Sequence, residues 1–297
     1  MAEDFLQATQ WGAAARDAAL AMAAGRVVAV FARSCYLANA AEALACVGPP
    51  GLGSGPLNLL CELPAGLDFP ASGLRPGDAV SYDGTVLRVG GRFALRLTGA
   101  ALWRPSSPPS CDAATLGRGL AMLATATEQA DGGGFAPLVP ALARREGVTA
   151  TASPLLHLAT PGIAALARWL TADEQVAPGE AAALLIGLGP GLTPSGDDLL
   201  GGAMIALHAL GRGDLATRLA DWALPLAREG TGAISAAHLA CAASGEGSAA
   251  LHDFLATLLA ADEAGIAEGV AALAAVGHSS GWDMLAGATL ACAAFSG

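Results

Sequence analysis

"RPSSPPSCD", residues 104–112, separates two kinds of sequence. Clustered proline and serine sustain neither a helix nor a strand ladder, so the segment reads as a linker. Before it lie strand-like runs: "RVVAVFARSCYL" (26–37), "LNLLCEL" (57–63) and "DAVSYDGTVLRVGGRFALRLTGAALW" (78–103). The last alternates around "DG" and "GG" turns, as hairpins do. A short helix over roughly residues 10–24 is expected to lead them. After the linker the chain is Ala/Leu-rich with helical spacing, broken at "DGGGFAPLVP", "TPG", "APGE", "GLGPGLTPSG", "GRGD", "REGTG", "SGEGS" and "GHSSG". That spacing predicts about seven or eight helices, many of them apolar all round and so buried. The expected fold class is α+β: a small, mainly antiparallel β domain over 1–105 with a leading helix, then a larger all-helical domain over 112–297.

Composition narrows the function classes. The chain has 297 residues, 54% of them hydrophobic, and a mean hydropathy of +0.50. Its apolar stretches are interrupted well before the roughly 18–20 residues of a bilayer span, so no membrane partner is expected. The opening "MAEDFLQATQWGAAARDAALAM" carries acids early and lacks the basic start of a signal peptide, which reads as cytoplasmic. The six cysteines are scattered without a CxxC pair and read as buried thiols. A net charge of −11 argues against a nucleic-acid partner. All 15 basic residues are arginine. Schiff-base and P-loop lysine chemistry are thereby excluded, and an anion has to be met by arginine or backbone N–H groups. No GxSxG, Walker, GxGxxG or HExxH pattern occurs.

The helical part contains an internal match. "SGDDLLGGA" (195–203) and "SGWDMLAGA" (280–288) share the frame S-G-x-D-x-L-x-G-A, 85 residues apart. With Thr193 as N-cap and Pro194 at the first helical position, Ser195, Gly196, Asp197 and Asp198 fill a first turn. His278 or Ser279 would cap the second helix. At 100° per residue Ser195, Asp198 and Gly202 share a stripe, as do Ser280, Asp283 and Gly287, while Leu200 and Leu285 face the core. Two functions fit. Helix-start N–H groups preceded by glycine bind phosphate or carboxylate. Alternatively Asp198 and Asp283 hold Mg²⁺, with Asp197 assisting. Against both stands simple capping, with the glycines allowing tight helix crossing. Capping explains the hydroxyls but not the run "GLGPGLTPSG", whose glycines cost backbone entropy, so a ligand site is expected. His278 is a candidate general acid or base. Thr231 and Ser235 in "EGTGAISAAHL" read as caps, His238 as a core residue, and Asn58 in "GSGPLN" as a turn residue.

"GLGPGLTPSGDDLLGG" (187–202) together with "GHSSGWDMLAGA" (277–288), and more weakly "GPLN" (55–58) and "LWRP" (102–105), resemble the family of the AllH subunit of oxamate carbamoyltransferase. The resemblance implies a part in phosphorolysis of oxalurate to oxamate and carbamoyl phosphate, late in anaerobic allantoin breakdown, within an enzyme of several different subunits. It marks Gly189, Gly191, Thr193, Ser195, Gly196, Asp197, Asp198, Ser279, Ser280, Gly281 and Asp283 as important without assigning roles. On the reading of the residues, Gly189, Gly191, Thr193, Ser195, Gly196, Ser279, Ser280 and Gly281 are the candidate substrate- or anion-binding positions. Asp197, Asp198, Asp283 and His278 are the candidate catalytic ones, and Mg²⁺ on Asp198 and Asp283 is the one candidate cofactor. The implied partners are the other carbamoyltransferase subunits and a small anion: phosphate, oxalurate or carbamoyl phosphate. The competing expectation is a non-catalytic assembly or ligand-binding subunit whose Gly-rich loops dock a partner chain. Low charge, 14%, suits a chain that buries surface against others.

Overall fold

The computed structural model describes residues 5–147, 153–171 and 178–297. The chain divides into two compact units, residues 1–105 and 106–297. The fold class is α+β, with strands confined to the first unit among the described residues. The expected acidic start (1–4) and part of the "APGE" break fall outside those residues.

The first unit begins with strand β1 (Phe5–Gly12), followed by helix α1 (Ala13–Leu20). This corrects the leading helix expected over 10–24. The Ala-rich run starts only at Ala13, and the preceding "FLQATQWG" pairs with three strands. Then come β2 (Gly25–Phe31), β3 (Ser34–Asn39), β4 (Leu44–Gly48), β5 (Asn58–Cys61), β6 (Ala79–Tyr82), β7 (Val86–Val89), β8 (Phe93–Arg96) and β9 (Ala101–Trp103). The sheet order is β5-β4-β3-β2-β6-β7-β8-β1-β9, and a further β5–β1 pairing closes it into a barrel. Six of the nine pairings are antiparallel. The two expected turns are present. Asp83 Oδ1 accepts from the Thr85 and Val86 amides, and Gly90 and Gly91 adopt φ of 61° and 64° between β7 and β8, as a tight hairpin turn requires. Val27, Leu37, Leu59, Phe69, Leu87 and Leu95 form part of the barrel core. Cys35, Cys46 and Cys61 are buried free thiols, and burial pushes Cys61 up to about 12, so it stays protonated and inert.

The second unit has ten α-helices among the described residues: α2 (Ala113–Ala126), α3 (Val139–Ala143), α4 (Pro154–Thr171), α5 (Gly179–Leu185), α6 (Ser195–Ala209), α7 (Gly213–Gly230), α8 (Ala233–Ala243), α9 (Ala249–Ala260), α10 (Glu263–Ala274) and α11 (Ser280–Ala294). The expected seven or eight is exceeded because α3 and α5, of five and seven residues, are too short to show a period. The "TPG" break is also corrected. Helix α4 runs through Pro161 because Leu156, Ala159, Ile163, Leu166 and Leu170 bury one face. That burial outweighs the roughly 3 kcal/mol an internal proline costs. Helix α6 is buried from Ser195 to Leu207, and α11 nearly so from Gly281 to Ala293. These two helices form the centre of the unit, and among the described residues no helix is long and apolar enough to cross a membrane.

Candidate functional site

The two copies of the frame meet. A Cβ on Gly202 would lie 2.0 Å from the Met284 carbonyl oxygen, and one on Gly287 would lie 1.8 Å from that of Leu199. Met284 and Leu199 hold the same frame position, so the contact is reciprocal, as a local two-fold relation requires. The first glycine of each frame repeats the pattern. A Cβ on Gly196 would lie 2.0 Å from the oxygen of Leu185, the last residue of α5, and one on Gly281 would lie 1.8 Å from that of Leu273 near the end of α10. These four glycines are where backbone meets backbone. The frame is a structural repeat, and tight helix crossing accounts for this part of it.

The hydroxyls and carboxyls behave differently. Pro194, at φ −53° and ψ 144°, is itself the N-cap of α6, and its carbonyl receives the amides of Asp197 and Asp198. Thr193 and Pro194 therefore sit one position earlier than expected. Thr193 is left to form a 2.9 Å hydrogen bond with Ser280 Oγ across the helix pair. Ser279 occupies the N-cap of α11, yet its side chain makes no capping bond. Instead the hydroxyls cross over. Those of Ser280 and Thr193 favour the charged form of Asp198, and those of Ser195 and Ser279 favour the charged form of Asp283. Each carboxyl is thus attended by the serine of the other copy.

Both carboxyls are buried: Asp198 is 8% exposed and Asp283 0%. Burial pushes Asp198 well above the ordinary carboxyl range, with Ser280 opposing and the Asp283 charge reinforcing the shift. Burial also raises Asp283, against the Phe135 amide, which donates to its Oδ1 at 2.7 Å. The Oδ2 atom of each carboxyl is buried without a hydrogen-bond partner. Two such atoms at one place are unusual, because buried polar groups are ordinarily satisfied. No group of three or more His, Cys, Asp or Glu suited to a metal occurs among the described residues.

Asp197 is turned elsewhere. Its Oδ1 accepts from the Gly187 amide at 2.8 Å, and its Oδ2 accepts from Thr231 and Ser235, both at 2.6 Å. Thr231 and Ser235, expected as caps, instead anchor Asp197 and tie the start of α8 to α6. The helix-start amides are also engaged: Gly196 donates to Leu188 O, Gly281 to Val276 O and Asp283 to Ser279 O. Before the two helix starts lie half-buried Gly189, exposed Gly191 and exposed His278. Gly189 has φ +120°, and a Cβ there would lie 2.8 Å from the Ser195 amide nitrogen. Gly191, at φ +97°, faces open space.

One contributor was missed in the sequence. "DGGGF" (131–135) reads there only as a helix break, yet it packs onto the start of α11. Gly132 lies against the Trp282 ring, and Gly134, at φ +59°, would place a Cβ 2.1 Å from Asp283 Oδ1. Three successive glycines were the available signal. Of the lesser candidates, the Asn58 amide donates to Gly53 O at 2.9 Å as a turn tie, and burial pushes His238 down to about 4.

A small barrel followed by a helical unit centred on a repeated Ser/Asp frame defines a two-part α+β class with one carboxyl pair at its helical centre. Residues 5–102 match the model of the AllH family N-terminal domain, and residues 185–292 match that of oxamate carbamoyltransferase subunit AllH. The chain belongs to the AllH family. No curated protein and no solved structure matches it. The carboxyl pair lies inside the second matched stretch, and the glycine loop at 131–135 lies outside both.

Proposed function

We propose that this chain supplies the Asp198–Asp283 pair to the reacting centre of a multi-subunit oxamate carbamoyltransferase that interconverts oxalurate plus phosphate with oxamate plus carbamoyl phosphate. In the forward sense a phosphate oxygen bonds to the ureido carbonyl carbon. The bond from that carbon to the oxamate nitrogen breaks, and the nitrogen takes a proton. Such a transfer needs two anions held together and a developing oxyanion stabilised in a dry site. The observation that carries the proposal is the pair of buried, unpartnered Oδ2 atoms in the first turns of α6 and α11, helices whose preceding segments expose Gly191 and His278. Burying two carboxyls costs stability, and no structural bond offsets the cost at those atoms. A cost retained at a buried position fits a functional demand.

Within the proposal Asp198 and Asp283 act at the centre. Ser195, Ser279, Ser280 and Thr193 orient them, and Asp197 is a positioning residue that fixes the loop before α6. Gly189, Gly191 and His278 border the approach, while Gly196 and Gly281 are packing glycines. The test uses the complex reconstituted with the other subunits. Asp198→Asn and Asp283→Asn, each melting cooperatively, should lower carbamoyl phosphate formation from oxalurate and phosphate by at least about 100-fold. Normal activity in both folded variants would overturn the catalytic proposal and leave the glycine loops, with Leu192 exposed at 48%, as a docking surface for a partner subunit.

A further inference from the structure

An anion at the proposed site would be met by an acidic inventory. Its two carboxyls are buried, the chain has no lysine, and no arginine is among the groups acting on either carboxyl. The usual backbone remedy is also spent. Gly196, Asp197, Asp198, Gly281 and Asp283 all donate their amides to carbonyls of the same chain, so the two helix starts have few N–H groups left to offer. A phosphate or carboxylate ligand approaching this place meets two carboxyls, and no cation is among the groups that act on them.

What the site does offer is oxygen. Asp198 and Asp283 each present one buried acceptor without a partner, Ser280 and Thr193 flank the first, and Ser195 and Ser279 flank the second. An all-oxygen set of two carboxylates and several hydroxyls is the ligand chemistry of a hard divalent cation. Magnesium in particular keeps positions open for water and substrate phosphate oxygens when only one or two carboxylates hold it. Two negative charges and one dication cancel. The remaining coordination positions would then give an anion the positive partner that the side chains and amides lack.

We propose that Asp198 Oδ2 and Asp283 Oδ2 jointly bind one divalent cation of the magnesium class, and that an anionic oxygen of the ligand completes its coordination. The inference rests on the proposed site, but its test does not depend on activity. Asp197 takes no part, because both its oxygens are engaged by Gly187, Thr231 and Ser235.

The experiment titrates the full chain, freed of metal by chelation, with Mg²⁺ and then Mn²⁺, followed by calorimetry and by thermal melting. The expected result is one ion bound per chain and a melting temperature that rises with Mg²⁺, since a ligand binding only the folded state stabilises it. Asp198→Asn and Asp283→Asn should each weaken binding more than tenfold and abolish the rise. If wild type binds neither ion at millimolar concentration, the proposal falls. Binding that persists in both variants also overturns it, because the ion would sit elsewhere. Should a variant fail to fold, Mn²⁺ broadening of wild-type amide resonances decides. Broadening centred on Gly134 and Ser280 supports the site, and broadening centred elsewhere overturns it. Loss of activity in Asp198→Asn without metal binding would remove the cation and keep the carboxyl pair. Metal binding with unchanged activity of the complex would keep the cation and remove the catalytic proposal.

Discussion

Both oxygens of Asp197 are occupied, whereas its neighbour Asp198 keeps one buried oxygen unpartnered. Two adjacent aspartates should therefore respond in opposite ways to substitution. Asp197→Ala strands three donors, two of them on another helix start, and should cost on the order of 3 kcal/mol in chemical denaturation. A loss below about 1 kcal/mol would mean that Thr231 and Ser235 find other acceptors. Asp198→Asn, measured in metal-free buffer, removes a charge that burial disfavours and should leave stability unchanged or raised. Sequence patterning placed both aspartates in the first turn of a helix and only Asp198 on the stripe shared with Ser195, but it could not show what holds Asp197. Its hydroxyl partners, Thr231 and Ser235, lie 34 and 38 residues away around the start of α8. His278 was legible as a polar neighbour of the frame, yet it lies exposed at the rim.

Helices α6 and α11 touch through glycine, and one helix carries its own control. Gly201 and Gly202 are adjacent in α6, but a Cβ on Gly201 would lie 3.7 Å from Ala242 Cβ, an ordinary contact, against 2.0 Å from Met284 O for Gly202. Gly201→Ala should be neutral or stabilise by up to about 1 kcal/mol through helix propensity. Gly202→Ala should destabilise by about 3 kcal/mol or more, since a rigid backbone carbonyl blocks the added carbon. Gly287→Ala should match Gly202→Ala. Equal, mild effects at Gly201 and Gly202, read by thermal melting, would show that the two helices slide apart easily. The recurring S-G-x-D-x-L-x-G-A frame was legible because both helix starts bury the same face. The glycine loop at 131–135 was not, because its role depends on a contact 148 residues away, from the Phe135 amide to Asp283. The proline in α4 misled for the reverse reason: a local breaker was overridden by a buried face.

Each unit has its own apolar core, one drawn from residues 8–97 and the other from 116–293. Residues 106–297 expressed alone should give a helical circular dichroism spectrum and a cooperative melt. An aggregated or non-cooperative product would mean that the helical unit depends on the barrel. The change from strand period to helical spacing at the linker made this division legible, since periods of 2 and 3.6 are distinct over long windows. Closure of the barrel was less legible. Strand β1 pairs with β5, β8 and β9, and Gly12 at its end would place a Cβ 2.1 Å from Gly55 O, contacts that no local pattern announces.

The relation between the two frames is reciprocal in its glycines and crossed in its serines, yet it is broken where the carboxyls are held. The Phe135 amide reaches Asp283, and Asp198 has no counterpart to it among its hydrogen bonds. A homodimer built on a symmetric axis presents a symmetric ligand with two equivalent orientations. A single chain carrying both halves is free to vary one without the other. Here that freedom gives the carboxyl pair a head and a tail: on the proposed function, an asymmetric molecule bridging the two carboxyls would meet unlike ends, and its two ways of lying there would differ in energy.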